Sequence, residues 1–350
     1  MFSLLTAPDP TVQNLEFSDR RYPVSRSVRR AALALRAARR PAALAALQQL
    51  SAPENQRRMV FVAGAGRSGT TAMQIALNAS AEVFLLGEAF FFWENLRPNF
   101  RARYNDKHVT LGHPPSKESE CPAVGPESGT WVETLAALAS RYRIVGEKIP
   151  FGAYKCDRWP SAFLAFHRRY FHGAAYLLSF RNPRDAILSV RSTFGIQDLV
   201  PWARSYIAAQ RVLIRLRVNF PRTVPVFLES VGRDTFQAIE ECLECALPLM
   251  PSVMVSQEGS PRDPERVRAE LRQTVDELEA LYPALCDTIV GYRTRRSAGL
   301  FDAIDARLAA LYRDLDPLYF STGARLARLR SRVITATRMA RKSWRSHVYE

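Results

Sequence analysis

The stretch Phe61–Leu77, FVAGAGRSGTTAMQIAL, sets three glycines (Gly64, Gly66, Gly69) and three hydroxyl residues (Ser68, Thr70, Thr71) around one arginine, Arg67. Glycines let the backbone turn sharply and present N–H groups to an anion. The helix expected from Thr70 onward adds its N-terminal dipole. Gly66, Arg67, Ser68, Gly69, Thr70 and Thr71 therefore make a candidate phosphate-binding loop. GAGRSGTT does not match the G-x-x-x-x-G-K-[ST] loop of nucleotide triphosphatases, whose lysine is missing here while Arg67 is the loop's one cation. No apolar strand ends in an aspartate that could anchor magnesium, which kinases need between the β and γ phosphates. The loop suits a phosphorylated nucleotide handled without a metal. A dinucleotide fold fits less well: Glu82 and Glu88 follow the glycines, and neither ends a clean second strand.

A second stretch, AAYLLSFRNPRDAILSV, carries a second candidate anion site. An apolar strand, 174–180, runs into Arg181. Asn182 can cap the next helix, Pro183 suits its first position and Asp185 its first turn. Ser189 follows Arg181 by eight residues, about two helical turns. A guanidinium can hold phosphate through two hydrogen bonds, and a nearby hydroxyl adds a third. Taken alone, Arg181 also reads as a surface arginine paired with Asp185.

The elements that would position these groups follow from hydrophobic periodicity. Apolar runs at 59–63, 83–86, 142–145, 174–180 and 224–228 read as strands. Amphipathic segments at 70–79, 131–141, 161–171, 184–194, 201–218 and 233–247 read as helices. This alternation predicts an α/β fold, a parallel sheet flanked by helices. Residues 28–50 are helical in pattern, with Pro41 in the first turn of a second short helix. SAPENQRR, 51–58, reads as a linker. The expected division is a basic helical extension over 1–58, a core domain over 59–296 and a basic helical extension over 297–350. The stretch 98–130, rich in Pro, Gly and charge, reads as a functional or mobile loop, an acceptor-side lid.

Together the two anion motifs resemble the sulfotransferases that use 3′-phosphoadenosine 5′-phosphosulfate, over roughly residues 59–250. In that family R-S-G-T-T is a form of the 5′-phosphosulfate loop. An arginine followed eight residues later by serine, with R-N-P-x-D between, is its 3′-phosphate motif. VPVFLESVGRDTFQAIEECLECALPL looks like the strand and helix that come next. The resemblance implies a P-loop nucleotide-kinase-like sulfotransferase fold, with that donor as co-substrate and no metal. It also implies that Arg181 and Ser189 hold the 3′-phosphate, and the loop 66–71 the 5′ end.

Sulfuryl transfer needs a base at the acceptor hydroxyl and cations at the leaving phosphate. One branch of the family uses the histidine of K-x-H. Here GEKIPF has Lys148, but Pro150 occupies the histidine position. The other branch, which includes tyrosylprotein and several carbohydrate sulfotransferases, uses a glutamate in G-E. That resemblance points to Glu88 in LLGEAFF, 21 residues beyond Arg67 and 60 before Lys148. Glu88 is then the general base, its pKa raised among Phe90, Phe91, Phe92 and Trp93, with Arg67 and Lys148 stabilising the leaving group. The plain alternatives are a helix-start carboxylate for Glu88 and a surface ion pair for Glu147–Lys148. The aromatic run is equally readable as acceptor pocket or core. His108 and His113 read as solvated loop histidines, since no third metal ligand stands near them.

Charge separates the ends from the middle. The 350-residue chain has net charge +15, yet 1–58 holds 10 Lys/Arg against 4 Asp/Glu, and 320–350 holds 8 against 1. The middle is close to neutral. The basic ends, including an amphipathic pattern through Leu326, Leu329, Val333, Ala336, Ala340 and Trp344, read first as solvated or self-packed faces. Contact with an anionic membrane surface is the second reading. The expected partner is a hydroxyl-bearing acceptor, with no specific nucleic acid. Five scattered cysteines, Cys242 and Cys245 within a helical pattern, read as reduced thiols. With neither a signal peptide nor a spanning segment in the pattern, a cytoplasmic location is expected. Two rival functions are a kinase-like phosphotransferase and a basic nucleic-acid- or membrane-associated binding protein. Sugar, tyrosine, lipid and small phenol acceptors all need the same base and donor site, so the acceptor and the oligomeric state are not encoded legibly.

Overall fold

The computed structural model describes residues 41–87, 129–151, 160–194, 198–247, 269–292, 299 and 301–321. Five strands form one sheet in the order β2-β3-β1-β4-β5: β1 (Met59–Ala65), β2 (Val83–Leu86), β3 (Ile144–Phe151), β4 (Ala175–Phe180) and β5 (Arg222–Phe227). Every pairing is parallel, with Val62 beside Lys148 and Leu177, and Leu86 beside Glu147. β1 and β4 are buried at every position. Their near-continuous apolar runs are what a parallel sheet covered on both faces requires.

Helices occupy both faces. In chain order they are α1 (Pro41–Ser51), α2 (Pro53–Gln56), α3 (Thr70–Asn78), α4 (Trp131–Ala139), α5 (Pro160–Tyr170), α6 (Pro183–Phe194), α7 (Val200–Asn219), α8 (Arg233–Leu243), α9 (Ala269–Gly291), α10 (Asp302–Asp314) and α11 (Asp316–Phe320). Alternate residues of β1 divide the core in two, as the period of two along a strand demands. Val60 and Val62 pack with Met73 and Leu77 of α3 and Ile239 of α8. Phe61 and Ala63 pack on the opposite side with side chains from α1, α4, α7, α9 and α10. Among the described residues no helix is long and apolar enough to cross a membrane.

Among the described residues the expected strands and helices are present, with three differences; residues 28–40 of the expected N-terminal helical stretch lie outside the described residues. β3 begins at Ile144 and runs through GEKIPF to Phe151, instead of ending at 145. The polar pair Glu147–Lys148 hid its second half from a reading by hydropathy. The linker 51–58 contains the short helix α2, opened by Pro53. The helix expected over 233–247 stops at Leu243, where Glu244 turns left-handed with φ 53°. Helix α9 carries no expectation from the sequence, and α10 lies within the stretch expected to be helical, 297–350. Leu47 and Leu50 of α1, and Leu308 and Leu311 of α10, lie in the same cluster as Phe61. Both ends of the described chain thus share one apolar cluster with the sheet. The amphipathic pattern after Leu326 and most of the loop at 98–130 lie outside the described residues.

The direction of the crossovers fixes where a ligand can bind. From β1 the chain leaves toward β2, while β3 and β4 send it toward β5. In open parallel sheets the crevice lies beyond the carboxyl ends of strands whose connections diverge in this way. Arg67, Lys148 and Arg181 all sit at or near those ends.

Candidate anion-binding site at the carboxyl ends of β1, β3 and β4

β1 ends in a turn that Gly66 opens and Gly69 closes. Gly69 caps α3 at φ 84°, and Arg67 is left-handed at φ 73°. A left-handed conformation costs a non-glycine residue on the order of 1 kcal/mol or more, so such residues persist only where neighbours over-determine them. The neighbours are on hand. Ser68 donates twice to the Ala65 carbonyl, from N at 3.1 Å and from Oγ at 2.7 Å. Ser179 Oγ donates to the Ser68 carbonyl. Gly66 N donates to Phe151 O at 2.9 Å, tying the turn to the end of β3. Gly64 makes the close turn feasible: a Cβ there would lie 2.4 Å from Ser68 Oγ and 2.9 Å from Ser179 O. Positive and negative φ values alternate through such a turn, which aims successive N–H groups at one concavity.

The second motif meets the first directly. Arg67 Nε donates to Ser189 Oγ at 3.0 Å, across 122 residues of chain, and Arg181 Nη1 donates to the Arg67 carbonyl at 3.0 Å. Ser189 and Arg181 are buried. Asn182 caps α6 as expected, its Oδ1 accepting from Arg184 N at 3.0 Å and Asp185 N at 3.4 Å. That cap, with Pro183 behind it, starts α6 with only two residues between it and the end of β4 and so sets Ser189 two turns in, against the loop.

Lys148 completes the cluster from β3. Period two puts it on the α3 face beside Val62, where Nζ donates to Thr71 Oγ1 at 2.9 Å. Glu147 is paired with Phe61 and faces the other way. The two are 0% and 6% exposed, so they form no surface ion pair. A buried ammonium in the first turn of a helix opposes the dipole there and favours an anion in the same place.

The loop residues 66–71, Arg67, Lys148, Arg181 and Ser189 are thus brought together. Glu88, the expected base, lies outside the described residues, as do Phe90, Phe91, Phe92, Trp93, His108 and His113. Gly87, the chain neighbour of Glu88, directly follows β2. Tyr206, whose hydroxyl donates to the Arg181 carbonyl at 2.7 Å, carries no local sequence signal. Glu229, whose Oε1 accepts from Asn182 N at 2.5 Å, was equally silent. His167 is a core histidine: it is 2% exposed and packed edge-on or tilted against Phe61, Phe163 and Phe171, and burial pushes its pKa down to about 3. The described cysteines, Cys242, Cys245 and Cys286, are free thiols, and burial raises the pKa of each.

A five-stranded parallel sheet whose central strand ends in a glycine turn, gathered with two arginines and a lysine, defines an α/β protein with cationic side chains clustered at the carboxyl ends of its strands. Residues 59–220, from the first residue of β1 to the residue after α7, match the model of the sulfotransferase family, which supports a sulfotransferase. Among solved structures the chain resembles the sulfotransferase domain of the Synechococcus PCC 7002 olefin synthase at 15% identity and a TM-score of 0.38, over 73% of this chain and 94% of that one. No curated protein matches the chain.

Proposed function

We propose that the protein transfers a sulfuryl group from 3′-phosphoadenosine 5′-phosphosulfate to an acceptor hydroxyl. The observation that carries the reading is the contact between the two motifs. Arg67 and Arg181, 114 residues apart, share a hydrogen bond, and Ser189 bonds Arg67. A nucleotide with phosphates at both its 3′ and 5′ positions calls for two adjoining anion sites of this kind. The strained turn at Arg67 and the buried Lys148 fit the 5′ end. Arg181 and Ser189 fit the 3′-phosphate.

The bound donor supplies the activated sulfuryl group, and this chain's residues supply everything else. Backbone N–H groups of Ser68 to Thr71 hold the 5′ end. Arg67 and Lys148 stabilise the charge that grows on the departing phosphate. Lys148 is well suited, since a cation in a water-poor site interacts more strongly than one in bulk solvent. Glu88 is assigned as the base that takes the acceptor proton; its neighbour Gly87 follows the last residue of β2, Leu86, which pairs with Glu147, the residue before Lys148. The reading entails no metal. The location we propose is cytoplasmic, with the basic ends free to touch an anionic membrane surface.

A thermal-shift comparison tests the donor class. Adenosine 3′,5′-bisphosphate is expected to raise the melting temperature by several degrees at saturating concentration, and ATP–Mg to raise it little. The reverse order would favour a kinase-like phosphotransferase. Transfer of labelled sulfuryl groups should survive EDTA. Glu88→Gln should abolish transfer while keeping nucleotide binding; near-normal turnover would remove Glu88 as base.

A further inference from the structure

We infer that Glu229, held by Tyr282 of α9, is a positioning residue for the Arg181 turn; the role in donor binding rests on the function proposed above. The turn from β4 into α6 is held from below and from outside. From below, Tyr206 of α7 donates to the Arg181 carbonyl at 2.7 Å. From outside, Glu229 Oε1 accepts from Asn182 N at 2.5 Å, and Glu229 Oε2 accepts from the Tyr282 hydroxyl at 3.2 Å. Burial raises the pKa of both phenols, so both stay protonated and able to donate. Asn182 is the residue after Arg181 and the cap of α6. Fixing its N–H therefore fixes the peptide plane that aims the Arg181 side chain, and the start of the helix that carries Ser189.

The chemistry of Glu229 is informative. A carboxylate close to an anion site repels the anion, so its charge opposes binding there. Its use lies in the geometry of two acceptor oxygens: one oxygen takes the Asn182 N–H and the other is steered by Tyr282. Glu229 and Tyr282 also lie beyond residue 220, outside the segment that matches the sulfotransferase family. The clamp is thus made of this chain's own C-terminal elements closing on a donor-site turn inside the shared segment.

Charge and geometry make opposite predictions for two variants. Glu229→Gln keeps an oxygen for Asn182 N–H and loses the negative charge. Glu229→Ala loses both. Calorimetric titration with adenosine 3′,5′-bisphosphate and with adenosine 5′-monophosphate reads the preference for a 3′-phosphate. Deuterium exchange over 182–186 reads the turn itself. If Glu229 positions the turn, Glu229→Ala lowers the 3′-phosphate preference about tenfold and speeds exchange at 182–186, with exchange in β1 and α7 unchanged. Glu229→Gln then keeps the preference within about threefold of wild type, and Tyr282→Phe falls between the two. An alanine variant with full preference and wild-type exchange overturns the inference. If wild-type protein shows no 3′-phosphate preference, the donor reading fails instead. The clamp is then judged on exchange alone: faster exchange confined to 182–186 in Glu229→Ala upholds it, and unchanged exchange ends it.

Discussion

Arginine is buried in two regions of this protein, with different partners. Along α7, Arg211 donates from Nε and Nη2 to the two oxygens of Asp305 at 2.7 and 2.8 Å. Arg204 is bonded to Asp316 and lies 4.0 Å from the ring centre of Tyr312 and 4.5 Å from that of Tyr319. Both carboxylates come from the last described helices, α10 and α11. At the carboxyl ends of β1 and β4, by contrast, Arg67 donates to a serine hydroxyl and Arg181 to a backbone carbonyl. Carboxylate partners cancel a charge and close a seam; hydroxyl and carbonyl partners orient a guanidinium. The first arrangement belongs to folding, and under the proposed function the second orients arginines toward an anion.

The sharpest way to break this contrast is at Asp305. Removing one partner of a buried ion pair leaves the other charged and desolvated, which costs about 3–5 kcal/mol. Asp305→Ala should therefore cost that much in denaturant unfolding. Nearby Arg215 adds to the effect. Burial lowers its pKa to about 10, and Asp305 is the neighbour that pulls it back up. Among molecules that remain folded, affinity for adenosine 3′,5′-bisphosphate should be unchanged. A loss below about 1 kcal/mol, or a large loss of nucleotide affinity without unfolding, would erase the division between the two regions.

Arg181→Ala should behave the other way round. A hydrogen bond to a charged group is worth about 1.5–3 kcal/mol, so affinity for adenosine 3′,5′-bisphosphate should drop roughly 10- to 100-fold. Affinity for adenosine 5′-monophosphate should change less than about threefold, because that ligand lacks the phosphate Arg181 meets. Stability should fall much less than in Asp305→Ala. Equal losses for both nucleotides would mean that Arg181 shapes the loop through the Arg67 carbonyl and touches no phosphate.

The two regions also differ in how far the sequence disclosed them. The β1 loop and the β4–α6 turn are local: glycines, a cap, a proline and an arginine lie within a few residues, and each type has a mechanical reason to be there. That is why residues 66–71, Arg181 and Ser189 could be picked out before their contact was known. Lys148 was harder. Its strand breaks the hydropathy pattern, and only resemblance singled it out. The α7 seam was illegible. Arg211 and Asp305 are 94 residues apart, and nothing local marks either as the other's partner. In sequence, buried arginines on a long helix look like solvated ones. Glu229 is silent for the same reason of distance: its partners Asn182 and Tyr282 lie 47 and 53 residues away.

Arg184 offers the finest test, since it stands between the two regions. It belongs to the first turn of α6, next to the anion site, yet its partners are carboxylates of α9: Asp276 at 2.7 Å and Glu279 at 2.5 Å. Arg184 is 31% exposed and its partners are 52% and 27% exposed, so solvent screens both pairs. Exposed pairs are worth about 0–1 kcal/mol. Arg184→Ala should therefore cost less than about 1 kcal/mol in denaturant unfolding and alter nucleotide affinity less than about twofold. The comparison with Tyr282→Phe is what gives this small number meaning. Both substitutions loosen α9 from the β4–α6 turn, but only Tyr282 acts on the carboxylate that holds Asn182. A larger effect from Arg184→Ala on the 3′-phosphate preference would show that α9 governs the turn through charge at its surface, and would move Arg184 from the closed seam to the binding region.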